Sequence, residues 1–157
     1  MKIILTVVGK TTTPFVREGI EEYASRVSRF HPFEIKVIPD IRNAGKLTAE
    51  KQKESEGKLI LEQLAPDDCL MLLDERGKQF TSREFSAFLQ RKSLELPRNL
   101  VFVIGGPYGF SKEVYDRADG MISLSRMTFP HELIRIFFVE QIYRAMTIER
   151  NMPYHHD

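Results

Sequence analysis

Short apolar runs alternate with amphipathic helical patterns along the chain, and this alternation restricts the possible folds more than any other feature. Five runs are rich in β-branched and aromatic residues and are bounded by Gly, Pro, Asp or Asn. They span residues 2–8, 33–38, 69–73, 99–104 and 121–124. Strands that are joined by helices usually run parallel, with helices on both faces of the sheet. The sequence therefore predicts an α/β fold with a mostly parallel sheet flanked by helices.

The first three predicted helices lie between these strands. One begins near Pro14 and places an apolar stripe on a single face, at intervals of four and three residues; the stripe consists of Val16, Ile20, Tyr23, Val27 and Phe30. The second covers residues 48–64, and we expect its charged first half to be solvated. The third begins at Thr81 or Ser82 as N-cap and stops before Pro97.

The last helix is apolar around most of its circumference. It is expected from Pro130 to Arg150, after a short helix that Ser111 caps and that ends near Ala118. Its apolar residues are Leu133, Ile134, Ile136, Phe137, Phe138, Val139, Ile142, Tyr143 and Met146. A helix that is apolar all round is buried. Since a sheet covers only one side of it, we infer that a second subunit covers the other side in a homodimer.

Length and charge limit the classes of function. A chain of 157 residues suits one domain, and no repeat or linker divides it, so we expect a single domain over residues 1–157, with 42–46 as a mobile loop. The net charge of +1 requires a local basic patch for any nucleic-acid binding. No run approaches the roughly eighteen apolar residues of a membrane span. The single cysteine, Cys69, is expected to be buried and unreactive. We therefore expect a cytoplasmic protein.

Three predicted strands end in turns that could bind a ligand. Leu73 precedes a polar turn, Ile104 leads into Gly105 and Gly106, and Leu124 opens a second polar turn. Ligands of open α/β sheets bind at such carboxyl ends. The glycine spacing matches neither a dinucleotide-binding turn nor a phosphate-binding loop, so a merely tight turn remains the alternative. For Asp74 and Glu75, which follow Leu73, an ordinary polar turn is the favoured interpretation.

The final helix and the residues after it form the next candidate site. Glu140 and Arg144 are four residues apart and can pair along the helix. Charges on a buried helix are costly unless they are paired or face a wet cleft. His155 and His156 are adjacent and lack further ligand motifs, so we expect no metal. A hydrolase triad is not indicated either, since no G-x-S-x-G elbow is present.

Five ordered motifs resemble the RlmH family of bacterial large-subunit rRNA methyltransferases. The resemblance covers the whole chain, including the opening Val7-Val8-Gly9-Lys10. The motifs are Leu73-Asp74-x-x-Gly77-Lys78, Ile104-Gly105-Gly106-Pro107-x-Gly109, Leu124-Ser125-x-Met127-Thr128-Phe129-Pro130-His131, Glu140-Gln141-x-Tyr143-Arg144-Ala145 and Pro153-Tyr154-His155. The resemblance implies a SPOUT-type α/β knot, in which the C-terminal segment threads into a trefoil knot and two subunits complete the sites.

The resemblance also implies a reaction. The methyl donor would be S-adenosyl-L-methionine, and the substrate N3 of a pseudouridine, position 1915 of 23S rRNA, in a hairpin loop of the assembled ribosome. By position, the cofactor would contact the same three strand ends, namely Leu73, Gly105, Leu124, Ser125, Arg126, Met127, Thr128 and Phe129. Positioning of the two reactants would be the main contribution of the enzyme.

The same family implies candidates for the chemistry and for RNA binding. Glu140, Tyr154 and His155 are the candidate catalytic residues, since one group must take the N3 proton. The candidate substrate-binding residues, which would hold phosphate or a carbonyl oxygen of the RNA, are His131, Arg135, Arg144 and His156. Tyr154 beside His155 could also stack on a base, and the tail is expected to order on binding.

This chain departs from the family pattern at its end. Where the family has Arg or Lys after the Tyr-His pair, it has His156 and then Asp157. An imidazole is only partly protonated at neutral pH. The tail is therefore expected to hold phosphate more weakly, or in a pH-sensitive way.

Two other hypotheses stay open. The chain could be a ribosome-associated binding module that has lost the chemistry, or a SPOUT enzyme that acts on another RNA site. The intact motifs favour the methyltransferase, and the Tyr154-His155 ending argues against a different RNA site.

Overall fold

Strands and helices alternate as the sequence predicts, and the part of the chain that the structure describes contains five of each and one short 3₁₀ helix. The structure, a computed structural model, describes residues 1–42, 44–95 and 98–157. In chain order the elements are β1 (Ile3–Val8), α1 (Pro14–Ser28), β2 (Phe33–Ile38), the 3₁₀ helix (Ala44–Lys46), α2 (Ala49–Glu62), β3 (Cys69–Gln79), α3 (Ser82–Glu95), β4 (Leu100–Ile104), α4 (Lys112–Arg117), β5 (Gly120–Ser123) and α5 (Leu133–Glu149).

The strands form one sheet in the order β2-β1-β4-β3-β5, and every neighbouring pair is parallel. The predicted α/β class is thus confirmed. Ile104 lies opposite Val7 on one side and Leu73 on the other, and Leu73 lies opposite Ile122. Four strands therefore reach the same edge of the sheet at the same level.

Two faces of the sheet are covered by different helices. Ile3, Leu5 and Val7 point into a core with residues of α1, α3 and α5, whereas Ile4 and Val8 point into a core with α2 and α4. This alternation along β1 follows from the two-residue repeat of a strand. Cys69 is buried in the first core, as predicted, and burial raises the pKa of its thiol.

The helix starts follow local sequence signals. Thr81 and Glu84 exchange hydrogen bonds through their backbone N–H groups and side chains, which forms a capping box at the start of α3. Ser111 caps α4 through the Val114 N–H, as predicted. The α3 helix ends at Glu95, and Pro97, before which its end was expected, lies outside the described residues, as does Asn43 of the predicted 42–46 loop.

Strand β3 is longer than predicted because it continues beyond its polar turn. Leu73 and Lys78 both lie opposite Ile122, so the residues between them bulge out of the ladder. Gly77 crosses the β5 backbone so closely that a Cβ there would lie 2.6 Å from the Ile122 carbonyl carbon. Asp74 accepts a hydrogen bond from the Arg76 N–H at 2.9 Å, the ordinary turn role expected of it. The trefoil knot that the resemblance implies stays a prediction.

Helix α5 is covered within the chain more completely than the sequence suggested. It packs against α1 and α3 as well as the sheet, and Phe138, Val139 and Ile142 are fully buried there. The premise that only the sheet can cover this helix is therefore wrong. Phe137 keeps 46% of its surface exposed. The homodimer remains a prediction, and it now depends on a smaller apolar surface.

Candidate active site

The predicted cofactor residues come together where β4 and β5 end and where β3 bulges out of the ladder after Leu73. A hollow of about 150 Å³ at this edge is lined by Leu73, Leu124, Ser125, Met127, Thr128 and Phe129. A second hollow of about 600 Å³ adjoins it and is lined by the turn at residues 105–109. The residues that line both hollows are Leu73, Asp74, Glu75, Phe129 and Ile134. Arg126 is exposed to solvent. The three strand ends therefore surround one continuous depression.

The turn after β4 has glycine at one position where a side chain would be strained and at another where it would displace a neighbouring side chain. Gly109 has φ of 83°, a left-handed conformation that glycine adopts without strain. At Gly106, a Cβ would lie 2.6 Å from a carboxylate oxygen of Glu56. The Gly109 N–H closes the turn by donating to the Gly106 carbonyl at 3.2 Å. Backbone groups without side chains thus form one wall of the larger hollow.

Serine side chains hold the turn after β5. The Ser123 hydroxyl donates to the Ser125 carbonyl at 3.0 Å, and the Met127 N–H donates to the Ser125 hydroxyl at 3.0 Å. Side-chain bonds of this kind fix a loop locally. The opposite wall of the depression is therefore a fixed turn as well.

The predicted catalytic residues form one hydrogen-bonded network. The Tyr154 hydroxyl donates to Glu140 Oε1 at 2.9 Å, and Arg144 donates to the same oxygen at 2.6 Å. Arg144 also lies 3.1 Å from His155 Nδ1 and stacks 4.8 Å above the Tyr154 ring. Residues 154–155 are thus docked on α5, and the ordering of the tail on binding stays a prediction.

The hydrogen bonds of the network assign roles to two of its members. Because a guanidinium group can only donate, His155 Nδ1 accepts from Arg144, and the other ring nitrogen, Nε2, faces Asp157. That nitrogen lies 2.9 Å from Asp157 Oδ1, which accepts from it. Burial, with hydrogen bonds to Tyr23 and Glu140, raises the pKa of Tyr154 well above its ordinary value. Tyr154 is therefore a donor at neutral pH, and with both His155 nitrogens engaged this arrangement favours Glu140 as the base.

Arg83 extends this network in a way that sequence reasoning missed. Its Nε lies 2.9 and 2.8 Å from the two carboxylate oxygens of Asp157. Arg83 belongs to α3 and lies 74 positions from Asp157, so no spacing rule links them. The His155 side chain, held between Arg144 and Asp157, is only 13% exposed. A charged pair on the surface therefore secures the last residues of the chain.

A third hollow connects the network with the strand ends. It measures about 480 Å³, and Glu140 lines it together with Leu124 and Phe129, which also line the smaller strand-end hollow. Sequence reasoning did not single out its other walls as site residues, which include Phe80, Ser82, Phe85, Phe137 and Gln141. The candidate cofactor and catalytic groups therefore meet around Phe129.

The four predicted substrate-binding residues occupy different places. His131 lines the larger strand-end hollow, Arg144 lies in the network, and His156 is exposed. Arg135 is only 2% exposed, and its guanidinium donates to the carbonyls of Val8 and Gly9 at 2.7 and 2.9 Å. The prediction that Arg135 contacts the substrate is therefore wrong, because its donors face the protein interior.

Two further absences concern the described part of the chain. Residues 1–42, 44–95 and 98–157 contain no cluster of three His, Cys, Asp or Glu side chains that could hold a metal. Within the same ranges, no helix combines the length and the apolar character needed to cross a membrane.

Comparison with known proteins identifies the family. Residues 1–155 match the family model described as predicted SPOUT methyltransferase. Curated proteins named ribosomal RNA large subunit methyltransferase H, from Parabacteroides distasonis and Porphyromonas gingivalis, are 56% and 55% identical over 100% of both chains. The crystal structure of a probable methyltransferase from Bordetella pertussis Tohama I matches the fold with a TM-score of 0.58, at 11% identity, over 92% of this chain and 94% of that one. The chain belongs to the SPOUT methyltransferase family.

Proposed function

We propose that this chain is an S-adenosylmethionine-dependent methyltransferase of large-subunit rRNA. Its target would be N3 of a pseudouridine in a hairpin loop, on the assembled ribosome in the cytoplasm, and residues 1–157 would act as a single domain. The observation that carries this proposal is the meeting of the strand-end hollows with the Glu140 network around Phe129. The name shared by the curated relatives supports the RNA substrate.

The strand-end residues fit S-adenosylmethionine in size and chemistry. The larger hollow, of about 600 Å³, lies within the usual range for small-ligand sites of about 300–1,000 Å³. Backbone groups of the two turns can read the adenosine, while Leu73 and Phe129 offer apolar surface to its ring. When bound, this donor supplies a methyl group on a positively charged sulfonium.

As the new N–CH₃ bond forms and the S–CH₃ bond of the donor breaks to leave a neutral thioether, the acceptor nitrogen must lose its proton. Glu140 is the candidate acceptor of that proton, because the raised pKa of Tyr154 keeps its hydroxyl protonated and both ring nitrogens of His155 are engaged by Arg144 and Asp157. Arg144 orients Glu140 and His155 by donating to each of them. The contribution of the chain is thus to hold the pseudouridine ring next to the methyl donor and to provide one group that accepts the proton.

A second copy of the chain would complete this site. Met127 and Phe137 are exposed large apolar side chains, and the Phe137 ring lies 5.4 Å from that of Phe129 in the site wall. Exposed apolar surface of this kind commonly marks an interface. We therefore place the homodimer contact beside the hollow that Phe129 and Glu140 line.

The direct test is transfer of a labelled methyl group to ribosomes that lack the modification. Purified protein would be incubated with labelled S-adenosylmethionine and either ribosomes or naked rRNA, and the modified nucleoside would be located by mass spectrometry. Tyr154→Phe and His155→Ala variants would test the network. The matched control is His31→Ala, which changes a histidine that is distant in sequence from the network.

We expect transfer to the ribosome by wild type and by His31→Ala, and a strong loss in His155→Ala. Cofactor binding without transfer to any RNA would favour the alternative of a binding module that lacks the chemistry. Transfer to a different nucleotide would retain the enzyme class and overturn the proposed target.

A further inference from the structure

Glu56 is a carboxylic acid in a place where carboxylic acids are rare. It lies in the middle of α2, where it is only 4% exposed, although residues 49–51 and 54 of the same helix are exposed. Burying an ionised carboxylate without close partners is costly. The reaction described above does not use this group, so its burial needs another reason.

The contacts of Glu56 lead to the glycine turn of the candidate cofactor site. Its two carboxyl oxygens lie 2.6 and 2.8 Å from the position that a Cβ of Gly106 would occupy. Its neighbour Gly57 packs against Ser111, the N-cap of α4, so closely that a Cβ at Gly57 would collide with the Ser111 hydroxyl. Helix α2 therefore packs on the turn through the carboxyl group of Glu56, and on the start of the next helix through Gly57.

The surroundings of Glu56 favour its neutral form. It accepts one hydrogen bond, from Gln52 Nε2 at 3.1 Å on its own helix. The charged group that faces it from another element is Asp40, which follows β2, and the residues of α4 that pack on α2 here, Ser111 and Val114, are uncharged. Burial, with the nearby Asp40 charge, raises the pKa of Glu56 above its ordinary value.

We propose that Glu56 is a positioning residue for the methyl donor, and that its carboxyl group supports the turn of residues 105–109 from the α2 side. Without this support, Gly106 would face a gap, and the backbone wall of the larger hollow would lose its fixed shape. The inference rests on the proposed function, since it assigns S-adenosylmethionine to that hollow. Glu56 itself touches neither reactant and acts through Gly106.

Three variants separate positioning from a general structural role. Glu56→Gln keeps the shape of the side chain and carries no charge, Glu56→Ala removes the support, and Glu54→Ala alters an exposed glutamate of the same helix as a control. For each, the dissociation constant of S-adenosylmethionine would be measured by calorimetry. The melting temperature of each variant would be measured separately. KM for S-adenosylmethionine and kcat would be measured with ribosomes, at a temperature well below the melting temperatures of all variants.

We expect Glu56→Ala to weaken cofactor binding about tenfold and to raise KM for the cofactor to the same extent. Its kcat at saturating cofactor should stay close to wild type. Glu56→Gln should bind within about threefold of wild type, and Glu54→Ala should match wild type.

Two results would overturn the proposal: unchanged binding in Glu56→Ala, or equal losses in both Glu56 variants that follow a common fall in melting temperature. A wild-type chain that binds the donor but methylates no ribosome would remove the proposed target and leave the role of Glu56 standing. A wild-type chain that binds no donor would overturn both.

Discussion

Arg135 shows how one charged residue can serve the fold from within a helix that otherwise carries site residues. Its guanidinium donates to the Val8 and Gly9 carbonyls and to the Thr11 hydroxyl, which lies 2.9 Å away. Burial lowers the pKa of Arg135, as expected for a cation removed from water. It joins the start of α5 to the loop between β1 and α1, and so fixes the position of the helix that carries Glu140.

Arg135→Met should therefore lower the free energy of unfolding of the protein. The substitution leaves two buried carbonyl oxygens without their donor, at a cost of about 2–4 kcal/mol in the free energy of unfolding. Urea denaturation would measure it. Arg17→Met, at an exposed arginine of α1, is the control and should change stability by less than about 0.5 kcal/mol. Similar values for the two variants would contradict the anchoring role.

The Tyr154 hydroxyl makes a separate prediction at this scale. Tyr154→Phe removes its hydrogen bond to Glu140 and keeps the ring between Arg144 and Tyr143. Stability should fall by only about 1 kcal/mol. Methyl transfer should fall more than cofactor affinity, because the hydroxyl orients Glu140 and does not line the strand-end hollows. Equal losses of transfer and affinity would contradict this.

At the level of single residues, the sequence predicted pairs that are close along the chain. The Glu140–Arg144 ion pair follows from their spacing of four and is confirmed. The sequence could not show that Arg135 is a buried structural residue while Arg144 belongs to the site, because both are basic residues on one apolar helix. The carbonyls that hold Arg135 lie more than a hundred positions away. Glu56 was also missed, since a glutamate on a charged helix is ordinarily solvated.

Among the elements, Glu132 links the turn before α5 to the start of α1. Its carboxylate accepts from the backbone N–H groups of Thr12 and Thr13 at 2.6 and 3.2 Å. These N–H groups precede a helix whose N-cap residue, Thr13, makes no side-chain cap of its own. A carboxylate is favourable at such a helix start. The bond to the Thr13 N–H lowers the pKa of Glu132, as do the contacts with Thr12.

Glu132→Gln should therefore lower the melting temperature at neutral pH. A carboxyl group whose pKa is lowered in the folded state stabilises it above the unfolded-state pKa, and this contribution is lost as pH falls through the folded-state pKa. The difference between wild type and variant should accordingly narrow in acid. Melting curves from about pH 7 down to about pH 3 would measure it. A difference that stays constant would show that the carboxylate charge plays no part.

Element positions were predicted well where they depend on local patterns and less well where they depend on distant contacts. The five strands, and the caps at Thr81 and Ser111, follow from apolar runs and capping residues. The extension of β3 to Gln79 was missed, because its polar, glycine-containing stretch is typical of a turn. It stays in the sheet only because β5 lies beside it, and no local pattern contains that information.

For the whole molecule, the prediction to be tested is that two copies of the chain form a homodimer. If the surface around Phe137 is the dimer contact, Phe137→Glu should convert a dimer into a monomer, because an unpaired charge would be buried there. Leu94→Glu, at a side chain that is 90% exposed on α3, should leave the dimer intact. Light scattering after size-exclusion chromatography would give the mass of each. A Phe137→Glu variant that remains dimeric would place the contact elsewhere.

The alternation of strands and helices was sufficient to predict the layered, parallel sheet of the whole molecule. The arrangement of the candidate site was predictable only in part. The three strand ends could be identified as neighbours of one ligand, since parallel strands share an edge. The docking of the tail on α5 could not, because terminal residues with few apolar side chains are ordinarily loose.

The shared edge of β3, β4 and β5 also bears on how the chain is made. The candidate site combines the ends of the first cofactor strands, near residues 73 and 105, with β5, α5 and His155, which come later in the chain. During translation, the earlier strands leave the exit tunnel before His155 does. A nascent chain therefore cannot complete the candidate site around a methyl donor until residue 155 has left the tunnel.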